Sequence, residues 1–325
     1  MRTALGRGQC GGHITLIFTI EDSVDDPLSQ GSRGVGLCLE HGVEAIAKGE
    51  EGGGKLQVRF QNEEYDVSMY EEVLEELVKV IPEIGGFDWE LNIRMSLPTS
   101  QGFGMSASGA IASAISLQRA IGIPHEECLR RSFLIAHLVE RNRSSGLGDT
   151  TGLASGGVER RIVAGSPFSD SLLLRGPGVS EGWHSGSKIL LSWREKTGKH
   201  TSNYIDDADW KLRISEAGGT AMEEIGLGPW DSSRWSDIVE KSLIFASESE
   251  LGCDSSRSEI IQTVERAIVD SGYSGKVSAL LCMLGESVVI VPNDFSDVGD
   301  WIDPIANSLR KSGLSAFPST VGSLR

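Results

Sequence analysis

Positive charge is scarce in this chain. Across its 325 residues 30 Lys and Arg stand against 46 Asp and Glu, a net charge of −16. A nucleic acid or an anionic membrane surface needs a basic footprint, so neither is expected as a partner. A small anion in a locally positive pocket stays open. No lysine occurs between Lys79 and Lys188, which removes a Walker A loop from the glycine-rich middle of the chain. The cysteines, Cys10, Cys38, Cys128, Cys253 and Cys282, are odd in number, scattered, and form no Cys-x-x-Cys pair. They point to neither a zinc site nor a disulfide framework, and a reducing compartment is the default. Long apolar runs are missing as well. The run at 14–20 is too short for a membrane span and has no cleavage pattern of a signal peptide, so a cytoplasmic protein is expected. What remains is a chain with 39% hydrophobic residues, enough for a sizeable core and long enough for two domains.

The most informative stretch is Leu97-Pro98-Thr99-Ser100-Gln101-Gly102-Phe103-Gly104-Met105-Ser106-Ala107-Ser108-Gly109-Ala110. An alternating segment at 90–95 precedes it, and a helix of small residues at 107–121 follows. Such a loop turns backbone N–H groups and a positive helix end toward one point. Gly102 and Gly104 remove Cβ atoms where a ligand must come close. The natural occupant is an anion such as a phosphate, and the competing reading is a tight turn before a close-packed helix. A dinucleotide fingerprint fails on spacing, because the third glycine, Gly109, comes five positions after Gly104.

Periodicity predicts strands at 14–20, 55–60, 158–163, 171–174, 188–193, 276–283, 287–291 and 314–317. It predicts helices at 70–81, 125–142, 207–225, 234–250, 256–270 and 298–311. Residues 22–36 read as a loop, and 176–186 as a linker. The pattern implies an α+β chain of two domains, 1–180 and 181–325, in place of one doubly wound sheet.

Three polar groupings stand out. On the helix at 125–142, Leu129, Phe133, Ala136 and Glu140 fall within about 40° of one direction at roughly 100° per residue, with His137 beside them. A carboxylate on a packing line needs a cation or a metal, unless Glu140 sits at a frayed end paired with Arg141 or Arg143. Asp149 lies in a second glycine loop, Ser144-Ser145-Gly146-Leu147-Gly148-Asp149. There it could accept a proton from an attacking hydroxyl, or simply cap a helix over 150–154. The basic set is Arg33 in its early loop and the neighbours Arg160 and Arg161 on a strand. Strand alternation sends the last two to opposite faces. One pointing inward could grip a substrate carboxylate through two parallel hydrogen bonds, whereas two surface salt bridges are the alternative.

These residues resemble the GHMP small-molecule kinases, whose second motif reads Pro-x-x-x-Gly-Leu-Gly-Ser-Ser-Ala. Pro98, Gly102, Phe103, Gly104, Met105, Ser106 and Ala107 fall in register with it. The form Gly-Phe-Gly-Met-Ser is similar to that of the archaeal pantoate kinases. So are Gly12-His13-Ile14-Thr15, Asp26-Pro27-Leu28, the loop 31–36, the spacing of His137, Glu140 and 146–149, Arg161 beyond Gly156-Gly157, and a reduced third motif at 278–285. Many members carry lysine where His13 stands.

The resemblance implies a two-domain fold, ribosomal-S5-domain-2-like at the N-terminal side and ferredoxin-like at the C-terminal side, with the site between. It implies ATP and Mg²⁺, with Ser106 and Glu140 on the metal, Ser108 as the alternative ligand, and Asp149 as base. The ATP phosphates would lie along Pro98 and residues 102–108, with Ser106, Ala107 and Ser108 at the helix start. Ser32, Arg33, His13, His137 and Arg161 would contact pantoate, Arg161 through the carboxylate. The implied reaction is phosphorylation of pantoate toward coenzyme A. Another GHMP kinase, for homoserine, mevalonate or a sugar, and a non-catalytic nucleotide-binding relative are the alternatives. Such kinases are commonly homodimers, which is one option for this chain.

Overall fold

The computed structural model describes residues 2–61, 65–170, 172–195 and 207–322. Strands β1 (Thr3–Phe18) and β2 (Gly34–Glu51) form a long antiparallel pair. Next come β3 (Leu56–Phe60), α1 (Ser68–Val80) and β4 (Phe87–Met95). Three consecutive helices follow: α2 (Met105–Ala120), α3 (His125–Asn142) and α4 (Asp149–Ser155). The chain then returns through β5 (Val158–Val163), the short pair β6 (Phe168–Ser169) and β7 (Leu174–Arg175), and β8 (Val179–Trp183). The first sheet has the order β3-β4-β2-β5-β8, and β1 also pairs with β2. Its pairings are antiparallel except β3 with β4.

Beyond it lie β9 (Lys188–Trp193), α5 (Ala208–Ile225), α6 (Trp235–Glu248) and α7 (Ser255–Asp270). The order closes with β10 (Val277–Leu281), β11 (Ser287–Pro292), α8 (Ile302–Lys311) and β12 (Ser315–Thr320). The second sheet, β10-β11-β9-β12, is antiparallel throughout. A compact apolar core with Val264, Val288, Ile290, Ile305 and Leu309 lies between it and α7 and α8. A bridge between Leu39 and Val321 ties the end of this sheet to β2.

Four expectations need correcting. The stretch 22–36 is a loop only as far as Arg33, and all of β2 escaped the periodicity argument. So did the first half of β1. Its inward positions are Ala4, Gly6, Gly8 and Cys10, while Leu5 and Arg7 point out. Glycine carries no apolar signal, so a strand whose buried face is glycine looks like a turn. The glycines are there because α2 lies directly on the strand. A Cβ at Gly8 would run into the Ala112 carbonyl, and one at Gly6 into that of Ser116. Gly8→Ala is therefore expected to destabilise the protein by about 1–3 kcal/mol, as overpacking does. A lowered urea midpoint at unchanged slope would register this.

The stretch 176–186 is not a linker. β8 occupies its middle, pairs with β5, and spans the expected boundary at 180/181. Of the strand expected at 171–174, Ser171 lies outside the described residues and Leu174 opens β7. The strand expected at 276–283 stops at Leu281, which leaves Met283 and Leu284 in a turn that reaches the first sheet.

Candidate active site

The glycine loop enters α2 through Gly102 (φ 76°) and Gly104 (φ 65°), both in the left-handed region that favours glycine. No side chain caps α2 at this end, so its first N–H groups are available to an anion. The loop is wedged in place. The His13 N–H donates to the Phe103 carbonyl at 2.9 Å on one side. On the other, a Cβ at Gly102 would come within 2.9 Å of the Cys282 carbonyl in the turn after β10. Met283 N–H donates to the Thr15 carbonyl at 3.1 Å, and Ser287 Oγ donates to that of Gln101. The second sheet thus closes a cavity of about 110 Å³ whose floor is the loop.

Asp149 is the first residue of α4 but does not cap it. The N-cap position is Gly148, and no side chain satisfies the helix end. The Asp149 carboxylate instead sits 2.8 Å from His13 Nδ1, with the Thr15 hydroxyl at 3.5 Å. Burial pushes its pKa up, but the His13 hydrogen bond and charge, with Arg161, outweigh this and hold it below the ordinary carboxylate value. It stays ionised and able to accept a proton.

Glu140 is not at a frayed end. It is 3% exposed, and Arg141 and Arg143 are engaged elsewhere, with Gln30 and the Gly146 carbonyl, and with Glu72 and Asp66. Ser106 and Ser145 donate their hydroxyls to Glu140 Oε1, while its buried Oε2 has no partner. Burial, and to a lesser degree the charge of Asp149, raises its pKa to about 7 against the lowering effect of these bonds. A Cβ at Gly146 would collide with Glu140 Oε2 and lie 3.7 Å from Asp149 Oδ2, so the two carboxylates converge there. Among the described residues no cluster of three His, Cys, Asp or Glu side chains could hold a metal. One orphaned carboxylate oxygen and one serine hydroxyl fit instead a hard cation that takes its other ligands from phosphate and water.

Ser32 and Arg161 line the cavity together with Asp149. A Cβ at Gly148 would strike the Arg161 guanidinium and the Ser32 hydroxyl, so this glycine lets both come forward. Ser32 Oγ is buried without a hydrogen-bond partner. Phe18, Met283 and Leu284 give the cavity an apolar wall.

Other expected residues lie elsewhere. Arg33 does not line the cavity, since its Nε is 2.6 Å from Glu21 Oε1. Arg160 and Arg161 do point apart, but neither faces solvent. Arg160 is buried against Glu181 and the Ile225 and Gly228 carbonyls, with its guanidinium 4.7 Å from the Trp230 ring centre. Ser108 donates to the Gly11 carbonyl at 2.6 Å and to that of Gly104 at 2.9 Å, so it anchors the helix start away from any ion. Ala107 is buried inside α2. Pro98 borders a neighbouring cleft of about 210 Å³ with Phe60, Tyr65, Met95 and Leu97. His13 is fully buried behind Asp149.

His137 is buried too, its Nε2 at 2.9 Å from the Pro27 carbonyl and its Nδ1 at 3.3 Å from Thr150 Oγ1. Burial lowers its pKa from 6.5 to about 4. The unfolded chain therefore takes up this proton first as pH falls. Stability present above pH 6.5 is lost toward pH 4, on the order of 3 kcal/mol. His13 acts with the opposite sign, because its pKa is raised and its contribution fades as pH rises. Urea unfolding between these pH values should show an acid-side loss that shrinks in His137→Asn.

Thr15, Ser145, Met283 and Glu159 belong to the site or its support and were not anticipated. Strand period alone puts Glu159 on the face of Arg161, two residues on. The turn carrying Met283 falls in the segment singled out at 278–285.

An uncapped helix start, an ionised carboxylate and an inward arginine thus share one cleft, an arrangement compatible with phosphoryl transfer to a small molecule. Residues 67–157 match the family model described as the GHMP kinases N terminal domain. The chain is 30% identical over 221 residues to the pantoate kinase of Thermococcus kodakarensis, covering 66% of this chain and 67% of that protein. This chain belongs to the GHMP kinases. It is also 29% identical over 170 residues to the pantoate kinase of Methanospirillum hungatei, 51% of this chain and 55% of that one. A solved structure described as a phosphotransferase related to the CoA biosynthesis pathway superposes with a TM-score of 0.76 at 24% identity, covering 99% of this chain and 97% of its own. The fold is accordingly the α+β fold of GHMP kinases. No helix among the described residues is long and apolar enough to cross a membrane.

Proposed function

We propose that this chain transfers the terminal phosphoryl group of ATP to the 4-hydroxyl of pantoate, giving 4-phosphopantoate for coenzyme A synthesis in the cytoplasm. One observation carries the reading: the uncapped start of α2, the carboxylate of Asp149 and the buried Arg161 share one cavity of about 110 Å³, with Glu140 directly behind its Ser106 and Ser145 wall. The relatives named above support pantoate as the substrate.

In this reading the loop 102–106 and the α2 start receive the phosphates, and the cleft at Phe60, Tyr65 and Pro98 receives the base. Arg161 and Ser32 take the carboxylate end of pantoate, and Phe18, Met283 and Leu284 pack on its two methyl groups. Asp149 orients the hydroxyl and accepts its proton. Ser106 and Glu140 would hold Mg²⁺, which when bound neutralises charge on the phosphates.

The test is ADP formation from ATP with a panel of pantoate, homoserine and mevalonate, the product being identified by ³¹P NMR. Pantoate-dependent turnover giving a phosphomonoester is the expected result. Turnover of homoserine or mevalonate with none on pantoate would overturn the substrate and leave the kinase.

A further inference from the structure

We propose that Glu159 is a positioning residue that joins the arginine facing the cavity to the histidine holding the base. A substrate carboxylate seated on Arg161 and the orientation of Asp149 are then coupled. The proposal rests on the phosphotransfer reading above.

The geometry is a chain of four groups. Arg161 Nε lies 3.4 Å from Glu159 Oε1, which in turn lies 3.0 Å from His13 Nε2; His13 Nδ1 is 2.8 Å from Asp149 Oδ1. His13 and Glu159 are fully buried, and Arg161 is 1% exposed. Both nitrogens of one imidazole therefore face carboxylate oxygens. An ionised carboxylate only accepts, so both nitrogens must donate, and the ring is an imidazolium. Burial alone would lower the ring's pKa, but the two carboxylates reverse the shift and raise it. Charges then alternate along the chain: Arg161 positive, Glu159 negative, His13 positive, Asp149 negative. Each buried charge has a partner, the condition under which such groups are tolerated.

Two glycines make room for the central bond. Gly36 on β2 is the register partner of Glu159, and Gly152 lies on α4. A Cβ on either would come within 2.6 Å of His13 Nε2, and that on Gly36 also within 2.6 Å of Glu159 Oε1. Neither glycine has a positive φ, so close approach is the reason for its presence.

The Arg161 end of the chain is incomplete. Arg161 Nε and Glu159 Oε2 are both buried without a hydrogen-bond partner, although they sit on facing groups. A small rotation of the guanidinium supplies the missing bond, and an anion drawing on its outer nitrogens would cause one. Through the shared carboxylate this movement reaches His13 and then Asp149.

The experiment compares wild type with Glu159→Gln and Glu159→Asp. Glu159→Gln should lower kcat on pantoate about 10²-fold, the loss typical of a misplaced reacting group, with the KM for ATP unchanged. On the amide of pantoate, which lacks the carboxylate, the same variant should cost far less. In ¹⁵N NMR at neutral pH, His13 should show two protonated ring nitrogens in wild type and Glu159→Asp, and one in Glu159→Gln. Glu159→Asp should recover most of kcat. Equal losses on acid and amide would reduce Glu159 to a structural role, and a neutral His13 in wild type would overturn the relay outright. Should Glu159→Gln fail to fold, the wild-type and Glu159→Asp spectra still decide the matter. If wild type does not turn over pantoate at all, the substrate reading fails, while the histidine spectra test the relay independently.

Discussion

Asp149→Asn is expected to lower kcat by about 10²–10⁴-fold, the range general-base catalysis supplies, with nucleotide affinity nearly unchanged. The substitution is nearly isosteric, and the amide oxygen can still accept from His13 Nδ1. What it loses is the charge that makes the side chain a base, a charge maintained against burial by His13 and Arg161. The glycine loop is held by the backbone N–H of His13 on one side and the turn after β10 on the other, and neither contact involves the Asp149 side chain. Steady-state kinetics with a titration of a non-hydrolysable ATP analogue would separate the two effects. Unchanged turnover would remove Asp149 from the chemistry, and lost nucleotide binding would give it a structural part instead.

Arg161→Ala should act on the other substrate. The KM for pantoate is expected to rise about 10²–10³-fold, from the loss of a buried charge-assisted pair, while the KM for ATP stays near its wild-type value. A stability loss of about 3–5 kcal/mol should accompany it, because Glu159 is left buried with one cationic neighbour fewer. Arg161→Lys keeps the charge but not the paired donors, and should recover the stability better than the affinity. Equal rises in both KM values would mean that Arg161 supports the fold and not the substrate.

The residues with chemistry were the legible ones. The loop around Gly102 and Gly104, Glu140, Asp149 and Arg161 could be singled out because a charge or a glycine run departs from the local pattern. Their partners were harder to find. Glu159 stands beside two arginines whose paired charge masks it, although strand alternation already puts it on the face of Arg161. His13 and His137 read as substrate contacts, since a sequence shows that an imidazole is present but not which neighbours use up its nitrogens. In the fold, strands with apolar alternation were legible and β2 was not. Nor was the first half of β1, where Gly6 and Gly8 are inward-facing residues chosen for closeness and only helix α2 across from them explains why.

The reach of β2 has a consequence for the order of synthesis. This strand pairs with β1 and β4 early in the chain, then with β5, and at Leu39 it meets Val321. A nascent chain can form the hairpin as soon as residue 51 is free. It waits for nearly all the rest before the last contact is available, tens of seconds at roughly 5–20 residues per second. The turn that roofs the cavity, at Met283 and Leu284, is also made late. Until residues 283 and 284 emerge the glycine loop has no roof, so the cavity it floors stays open long after the loop itself has been made.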